Sequence, residues 1–267
     1  MENYTQAKKL LTFLAIKHHG NWDKILASIK NPTEEDWAMS EYPRKTSYKS
    51  ITILDEEYPN QLRQIYRPPF VLFYKGDISL LSKFEHCLAI VGTREPSERV
   101  VSHTKRIIGE LPKDIIIVSG LANGIDTVAH ETALENNMKT IAVMPTGINY
   151  CYPSINRGLY KKIAETGLVI SEYPADTTTT LDLFVVRNRI ISGLCKTVFV
   201  PEAKIQSGTS RTVCFAEQQN RDICCLPGEI NTDSLGNLLI KTGAYLVEKG
   251  DDIADIMGFG KLLFSLK

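Results

Sequence analysis

The chain has 267 residues, in which 31 lysines and arginines balance 31 aspartates and glutamates, and 43% of all residues are hydrophobic. This length fits one large α/β domain, or a domain of about 200 residues with a small companion, and the composition excludes disordered and fibrous proteins. Because the formal net charge is zero, any surface that binds a polyanion must be local.

The sequence predicts a cytoplasmic protein without a membrane partner. The apolar run LLTFLAI leads straight into Lys17, His18 and His19, so we interpret it as a buried amphipathic helix and not as a secretion signal. No apolar run approaches the roughly 20 residues that a membrane span needs. The six cysteines form no CxxC pair, which favours reduced thiols in the cytoplasm.

Residues 1–45 predict a small helical N-terminal domain, and residues 46–267 predict a second, larger domain. In the first, we expect Trp22 and Trp37 to be core residues, and Asn31-Pro32-Thr33 predicts a helix that begins at Glu34. The polar stretch PRKTSYKS marks the boundary. Just after it, the aromatic run VLFYKG predicts a strand that extends the sheet of the larger domain at an edge.

From residue 87 onward, short β-branched apolar runs alternate with longer helical patterns, which is typical of parallel βαβ units. Six strands are predicted, within residues 87–92, 114–120, 139–145, 167–174, 196–203 and 222–229. Each segment between them is long enough for a crossover helix, and residues 234–258 predict a helix, a short strand and a closing helix. The predicted fold is α/β, a doubly wound and mostly parallel sheet.

Three predicted loops follow strands directly and combine glycine with serine or threonine. Their residues are Gly92-Thr93-Arg94, Ser119-Gly120-Leu121-Ala122-Asn123-Gly124 and Ser207-Gly208-Thr209-Ser210. Glycine lets backbone amides turn toward an anion, hydroxyls add hydrogen bonds, and a following helix adds its dipole. Because such sheets bind ligands at the carboxyl ends of their strands, each loop is a candidate phosphate site, although the same residues also form ordinary turns.

Several enzyme classes lack their usual motifs here. The loop after the strand at 87–92 reads GTREPS, which differs from the GxGxxG of dinucleotide-binding proteins, and no Walker A or GxSxG sequence is present. His130 lies in a helical pattern, where a structural role is more common than a catalytic one. No spacing of histidine, cysteine and carboxylate residues resembles a metal site, so we expect no catalytic residue and no cofactor.

Positive charge is concentrated in one segment. Between Leu183 and Val213, five cationic side chains stand against Glu202 alone. Phe184, Arg187, Asn188 and Arg189 open a predicted helix there, a combination that suits a phosphate chain with an unpaired base stacked on the ring. A solvated helix face over a core phenylalanine is the alternative. If the strand assignment holds, Arg94 and Arg157 lie at the same edge and complete an electropositive groove.

These motifs, in this order, resemble the DNA-processing protein A family (DprA, also called Smf). The resemblance covers about three quarters of the chain, from about Tyr58 to Gly250. It rests on YPNQLRQIYRPPFVLFYKGD, AIVGTRE, IVSGLANGIDTVAHETAL, TIAVMPTGINYCYPSIN, VISEYP, FVVRNRIISGL, VPEAKIQSGTSRT and LPGEINTDSLGNLLIKTGA.

The resemblance implies an extended Rossmann-like fold that binds single-stranded DNA as a homodimer. It further implies protection of incoming strands in natural transformation, loading of the RecA recombinase, and no catalytic centre. The DNA-contacting positions that it carries over are Gly92, Thr93, Arg94, Ser119, Gly120, Asn123, Arg157, Phe184, Arg187, Asn188, Arg189, Ser207, Gly208 and Thr209. Asn123 departs from the arginine that family members often have, which removes one charge.

Two other hypotheses stay open. The fold is distantly similar to Rossmann-type phosphoribohydrolases, and QSGTSRTVCFAEQ keeps an SGT sequence and Glu217 but lacks the paired glycines of those enzymes. A separate interaction surface is suggested by the apolar side chains near the C-terminus, which exceed what one core-facing stripe needs. They are Leu235, Leu238, Leu239 and Ile240, and a fully buried helix is the alternative.

Overall fold

The computed structural model describes residues 2–42, 48–175, 177–230 and 232–260. Within these residues, nine strands form one sheet in the order β1-β2-β6-β5-β4-β3-β7-β8-β9. The strands are β1 (Lys49–Thr52), β2 (Val71–Gly76), β3 (Cys87–Ile90), β4 (Ile116–Ser119), β5 (Thr140–Met144), β6 (Leu168–Ser171), β7 (Thr197–Val200), β8 (Asp222–Cys225) and β9 (Tyr245–Leu246). β2 runs antiparallel to both of its neighbours, and the pairs from β6 to β9 are parallel.

Helices cover both faces of this sheet. They are α1 (Glu2–Lys17), α2 (Trp22–Lys30), α3 (Glu34–Ser40), α4 (Asn60–Arg63), α5 (Glu98–Glu110), α6 (Ile125–Glu135), α7 (Arg157–Thr166), α8 (Leu181–Gly193), α9 (Gly208–Gln218), α10 (Leu235–Lys241) and α11 (Gly250–Met257). Successive side chains of a strand point to opposite faces. Leu88 and Ile90 accordingly join one hydrophobic cluster and Ala89 joins another, which gives the two-layered core of a doubly wound fold.

The structure confirms the α/β fold class. The six predicted strands correspond to β3–β8, and the helix, strand and helix expected after them are α10, β9 and α11. The run VLFYKG forms β2 over its full length, but β1 pairs outside it, so β2 is second from the edge. The helix predicted to begin at Glu34 does so, because the Thr33 hydroxyl accepts from the Asp36 amide in a capping box.

The N-terminal helices share a core with the sheet. Leu10 and Leu14 of α1 belong to the same cluster as Phe73 of β2. Trp37 is exposed, so its prediction as a core residue is wrong, and the half-buried Trp22 stacks on a neighbouring ring at the edge of the core. The proposed division at residue 45 lies outside the described residues and stays a prediction.

The strand order creates a crevice between β3 and β7. The chain continues from β3 toward β4, β5 and β6 on one side, and returns to β7, β8 and β9 on the other. At such a switch point, the loops that follow the two strands turn away from each other. This leaves room for a ligand at the carboxyl ends of the strands. In the described part of the chain, no helix has the length and apolar character to cross a membrane.

His130 is a buried structural residue of α6. Its Nδ1 lies 2.6 Å from the Thr140 hydroxyl, which itself donates to the carbonyl of Ile117 at 2.7 Å. Since the hydroxyl hydrogen is used there, Nδ1 must be the donor to Thr140. Burial, with a contribution from Arg187, lowers the pKa of His130 to about 3.

We predict that His130 destabilises the fold in acid. Its pKa is lower in the folded chain, so the unfolded chain binds more protons below about pH 6.5, and the free energy of unfolding falls as the pH falls. Between pH 7 and pH 5 this group should cost about 2 kcal/mol. Urea unfolding of His130→Asn, which keeps a donor near Nδ1, should lack this loss. A variant with the wild-type pH dependence would contradict the assignment, and His103→Asn, at an exposed position, is the control.

A buried ion pair links α8 to the end of β6. Nη2 of Arg189 donates to both carboxylate oxygens of Glu172, at 2.7 and 2.8 Å. Nε donates to the carbonyl of Arg67 and Nη1 to that of Val186. Both members of the pair are almost fully buried. Arg189 thus connects α8 to two segments that are distant in sequence, at Glu172 and at Arg67.

We predict that Arg189→Met costs about 3–5 kcal/mol of unfolding free energy, because it leaves the Glu172 carboxylate buried without a partner. The double variant Arg189→Met, Glu172→Gln should recover part of this loss, since no uncompensated charge remains. Chemical denaturation measures all three proteins. Equal stability of the wild type and Arg189→Met would show that the pair does not stabilise the fold.

Candidate nucleic-acid interface

A cavity of about 430 Å³ lies at the carboxyl ends of β3 and β7. We call it the groove. Segments that follow β3, β4 and β7 contribute to it together with the first turns of α8. Its lining residues are Val91, Gly92, Thr93, Arg94, Ala122, Asp126, Phe184, Val185, Arg187, Asn188, Ile191, Ser207, Gly208, Thr209 and Thr212.

The loop after β3 is held close to its neighbours by glycine. A Cβ atom on Gly92 would lie 2.6 Å from the Ile125 side chain and 2.9 Å from the carbonyl oxygen of Glu202. The Thr93 amide donates to that same carbonyl at 2.7 Å. The loop therefore crosses from β3 to β7 at close range and leaves the next side chain, the exposed Arg94, at the rim of the groove.

The polar groups of the loop after β4 mostly form hydrogen bonds within the protein. The Ser119 hydroxyl donates to the carbonyl of Ile90 at 2.7 Å and is fully buried. The amides of Gly120 and Ala122 donate to the Asp126 carboxylate. Ala122 and Asp126 are the contribution of this segment to the groove lining.

Helix α8 supplies a ring and a buried cation to the groove. The Arg187 guanidinium donates to the carbonyl of Gly120 at 2.8 Å and to that of Val143, and its Nε donates to Asn188 at 3.1 Å. Phe184, one turn earlier, is half-buried. The Arg94 guanidinium carbon lies 5.4 Å from the centre of its ring, a cation–π contact.

The loop after β7 ends in the first turn of α9. Ser207 and Ser210 form a capping box, in which each side chain accepts from the backbone of the other. The amides of Gly208 and Thr209 come next, and first-turn amides have no acceptor within their own helix. A Cβ atom on Gly208 would meet no atom within 4 Å. Gly208 is exposed and Thr209 is buried, so the first turn is open at Gly208, at the positive end of a helix dipole, where phosphate binds well.

The structure corrects three predicted DNA contacts. Ser119 and Gly120 are buried, and their hydroxyl and amide already have partners inside the protein. Arg189 lies outside the groove lining, and its donors are directed at Glu172 and two carbonyls. Charge counted along the sequence overestimates the charge available to a ligand, because the fold pairs part of it internally.

Three further predicted residues lie beyond the groove lining. Gly124 adopts a φ of +77°, and a Cβ atom there would overlap the backbone of Thr93 and Arg94, so it is needed for close packing of two loops. Asn123 is exposed, and so is Arg157 at the start of α7. Because α7 follows β5, Arg157 lies on the β5 side of the groove.

The floor of the groove holds charges of both signs. Burial lowers the pKa of Arg187 to about 10, so this guanidinium keeps its charge at neutral pH. Burial also raises the pKa of Asp126. Sequence reasoning missed Asp126 as a groove residue, although a carboxylate placed in the first turn of α6 was a usable signal. Arg94 at the rim is the exposed cation of the lining.

The structure gives no support to the phosphoribohydrolase hypothesis. Glu217, the candidate acid, is exposed near the end of α9, about 14 Å along the helix from Gly208. It is not among the lining residues. Among the described residues, no group of three or more histidine, cysteine or carboxylate side chains has an arrangement that holds a metal ion.

Comparison with known proteins places the chain among DNA-processing proteins. The DNA processing protein DprA of Streptococcus pneumoniae is 44% identical over 209 residues, which are 77% of this chain and 73% of the relative. The DprA of Bacillus subtilis is 36% identical over 239 residues, 85% of this chain and 78% of the relative.

Two solved structures are also similar. DNA processing protein A from S. pneumoniae has a TM-score of 0.76 at 35% identity, covering 95% of this chain and 96% of that one. DNA processing protein A from Helicobacter pylori, whose structure concerns its single-stranded DNA binding mode, has a TM-score of 0.72 at 30% identity, covering 79% and 95%. The model of the DNA recombination-mediator protein A family matches residues 49–258, and the chain belongs to that family.

Proposed function

We propose that this protein binds single-stranded DNA in the groove, without catalysing a reaction on it. The observation that carries the proposal is the convergence of Arg94, Phe184 and the first turn of α9 on one cavity. The amides and the guanidinium suit phosphate oxygens, and the ring suits an unpaired base. The H. pylori relative, described for its single-stranded DNA binding mode, supports the same assignment.

The size of the groove favours a strand over a duplex. A volume of about 430 Å³ is at the lower end of the range for small-ligand sites. We also expect only a slight preference for particular DNA sequences, because contacts to phosphates and stacking on a ring carry little information about base identity.

The biological setting is proposed from the resemblance. Protection of incoming strands in natural transformation and loading of the RecA recombinase both need a protein that holds a strand without cutting it. The description of the family as recombination mediators supports this role. A cytoplasmic location is supported by the six free cysteines, most of which are buried.

We predict that Arg94→Ala weakens binding to a thymidine oligonucleotide about tenfold, since a charge-assisted contact is lost. The slope of log affinity against log salt should fall by about 0.7, the value for one phosphate contact on a single strand. Fluorescence anisotropy at several salt concentrations measures both. Arg94 is preferable to Arg187 or Arg189 as a target, because both of those are buried and their loss perturbs the fold.

Lys113→Ala is the matched control. Lys113 is an exposed cation just before β4, at the opposite ends of the strands from the groove. Its removal changes the net charge as much as Arg94→Ala does. If both variants weaken binding equally, the effect is one of overall charge, and the assignment of the groove is wrong.

We further propose that the protein is a homodimer that pairs through an apolar face beside β9. Leu235 and Leu239, predicted for this interface, are buried in the core and are corrected to structural residues. Leu238 remains exposed, and Ile240 is partly buried. Together with Ile205, Ile230 and Leu246 they line a depression of about 620 Å³.

Two observations favour a second copy as the occupant of this face. Ile230 is 87% exposed, and monomeric proteins seldom leave clustered apolar side chains open to water. The edge strand β9, whose Leu246 lines the depression, pairs with β8 alone among the described strands. Open edges tend to be covered by another chain.

We predict that Leu238→Glu raises the dimer dissociation constant at least about tenfold, because it places a charge in an apolar contact. Sedimentation equilibrium measures the change. Met39→Glu is the control, since Met39 on α3 and Leu238 are each 41% exposed. A folded Leu238→Glu variant that associates like the wild type would rule this face out.

A further inference from the structure

An exposed aromatic ring stands next to the groove without lining it. The ring of Tyr152 lies 5.5 Å from that of Phe184, centre to centre, at an interplanar angle of 70°. Tyr152 is 42% exposed. Arg94 lies on the Phe184 ring as well. Arg94, Phe184 and Tyr152 therefore form a row of contacting side chains, which we call the aromatic row, from the groove to the loop after β5.

Apolar surface continues along the aromatic row. Leu181 lies three residues before Phe184 on α8, so the two share a face of that helix, and it is 83% exposed. Val185 is also exposed, and so is Ile155 in the loop that carries Tyr152. Unpaired bases stack on such surfaces whatever their sequence.

The opposite side of the groove is acidic. A second cavity, of about 320 Å³, borders the groove at Thr93 and extends toward the end of β8. Four carboxylates and two cations line it, so it is net negative. They are Glu95, Glu202, Glu229 and Asp233, with Arg99 and Lys204. Phosphates are repelled there.

The order of the strands places the aromatic row and the acidic cavity on opposite sides of the groove. β4 and β5 lie on one side of β3, and β7 and β8 lie on the other. The loop after β5 carries Tyr152 and leads into Arg157, an exposed cation. A strand that fills the groove therefore meets a ring and a cation on the β5 side, and excess carboxylate on the β8 side.

We propose that the bound strand leaves the groove across Phe184 toward β5 and stacks a further unpaired base on Tyr152. The inference rests on the proposed function and adds to it a direction and a second stacking position. The chemistry required of the ligand is an unpaired base joined to a phosphate chain, which single-stranded nucleic acid supplies.

A purely structural role for Tyr152 makes a different prediction. If the tyrosine only supports Phe184, its loss weakens the binding of every oligonucleotide that reaches the groove. If it stacks a further base, its loss matters only to strands long enough to reach it. Oligonucleotide length therefore distinguishes a binding residue from a positioning residue.

The experiment compares a thymidine mononucleotide, which supplies a single base, with a thymidine oligonucleotide of about sixteen nucleotides, a length within the range that single-strand-binding domains cover. Tyr152→Ala should lower the affinity for the oligonucleotide about tenfold, the scale of one stacked base, and leave that for the mononucleotide within about twofold. The salt slope should not change, because no phosphate contact is lost. Tyr152→Phe should bind like the wild type.

Controls keep every outcome informative. Tyr4→Ala removes another exposed ring, from α1, and should have no effect. Tyr152→Leu keeps apolar bulk without the ring, and serves if the alanine variant is poorly folded. Equal losses at both lengths, or none, would overturn the proposal. Failure of the wild type to bind the oligonucleotide would instead reject the proposed function on which the inference rests.

Discussion

The shape of the groove depends on one buried guanidinium. Arg187 reaches from α8 across the ends of two parallel strands and donates to the carbonyls of Gly120 and Val143. A Cβ atom at Gly120 would overlap this guanidinium, so the contact requires glycine there. Because Phe184 and Asn188 are one turn or less away on the same helix, this anchor fixes the wall that a ligand meets. The carbonyl contacts and the nearby Asp126 offset part of the desolvation cost of the buried charge.

Much of the fold was predictable because parallel strands buried on both faces are continuous apolar runs. The runs that became β3–β8 are of this kind, and their lengths exclude helices. β1 was missed as a strand of its own because KSIT is short and only half-buried. Trp37 was misplaced because a tryptophan has a polar edge and tolerates partial exposure. The hydrophobic pattern alone does not show which tryptophans are buried and which are exposed.

The loops that form the candidate site were predictable from the sequence, but the charges available to a ligand there were not. Glycine and hydroxyl residues at strand ends identified the three loops that contribute to the groove lining, since the need for close backbone approach is a local property. The role of Arg189 was not accessible in this way. Its partner Glu172 lies 17 residues earlier in the chain, and only the sheet brings them together. A sequence shows the sign of each charge but not which charges the fold has already neutralised.

The close packing around Gly92 and Gly124 has a consequence for how the protein recognises a strand. Neither loop has room to shift, because neighbouring atoms occupy the space where even a methyl group would stand. The binding surface is thus preorganised, and most of the entropy lost on association falls on the nucleic acid. A strand already held extended, by tension or by another protein, has less of that entropy left to lose, so the same contacts should hold it more tightly than a relaxed coil.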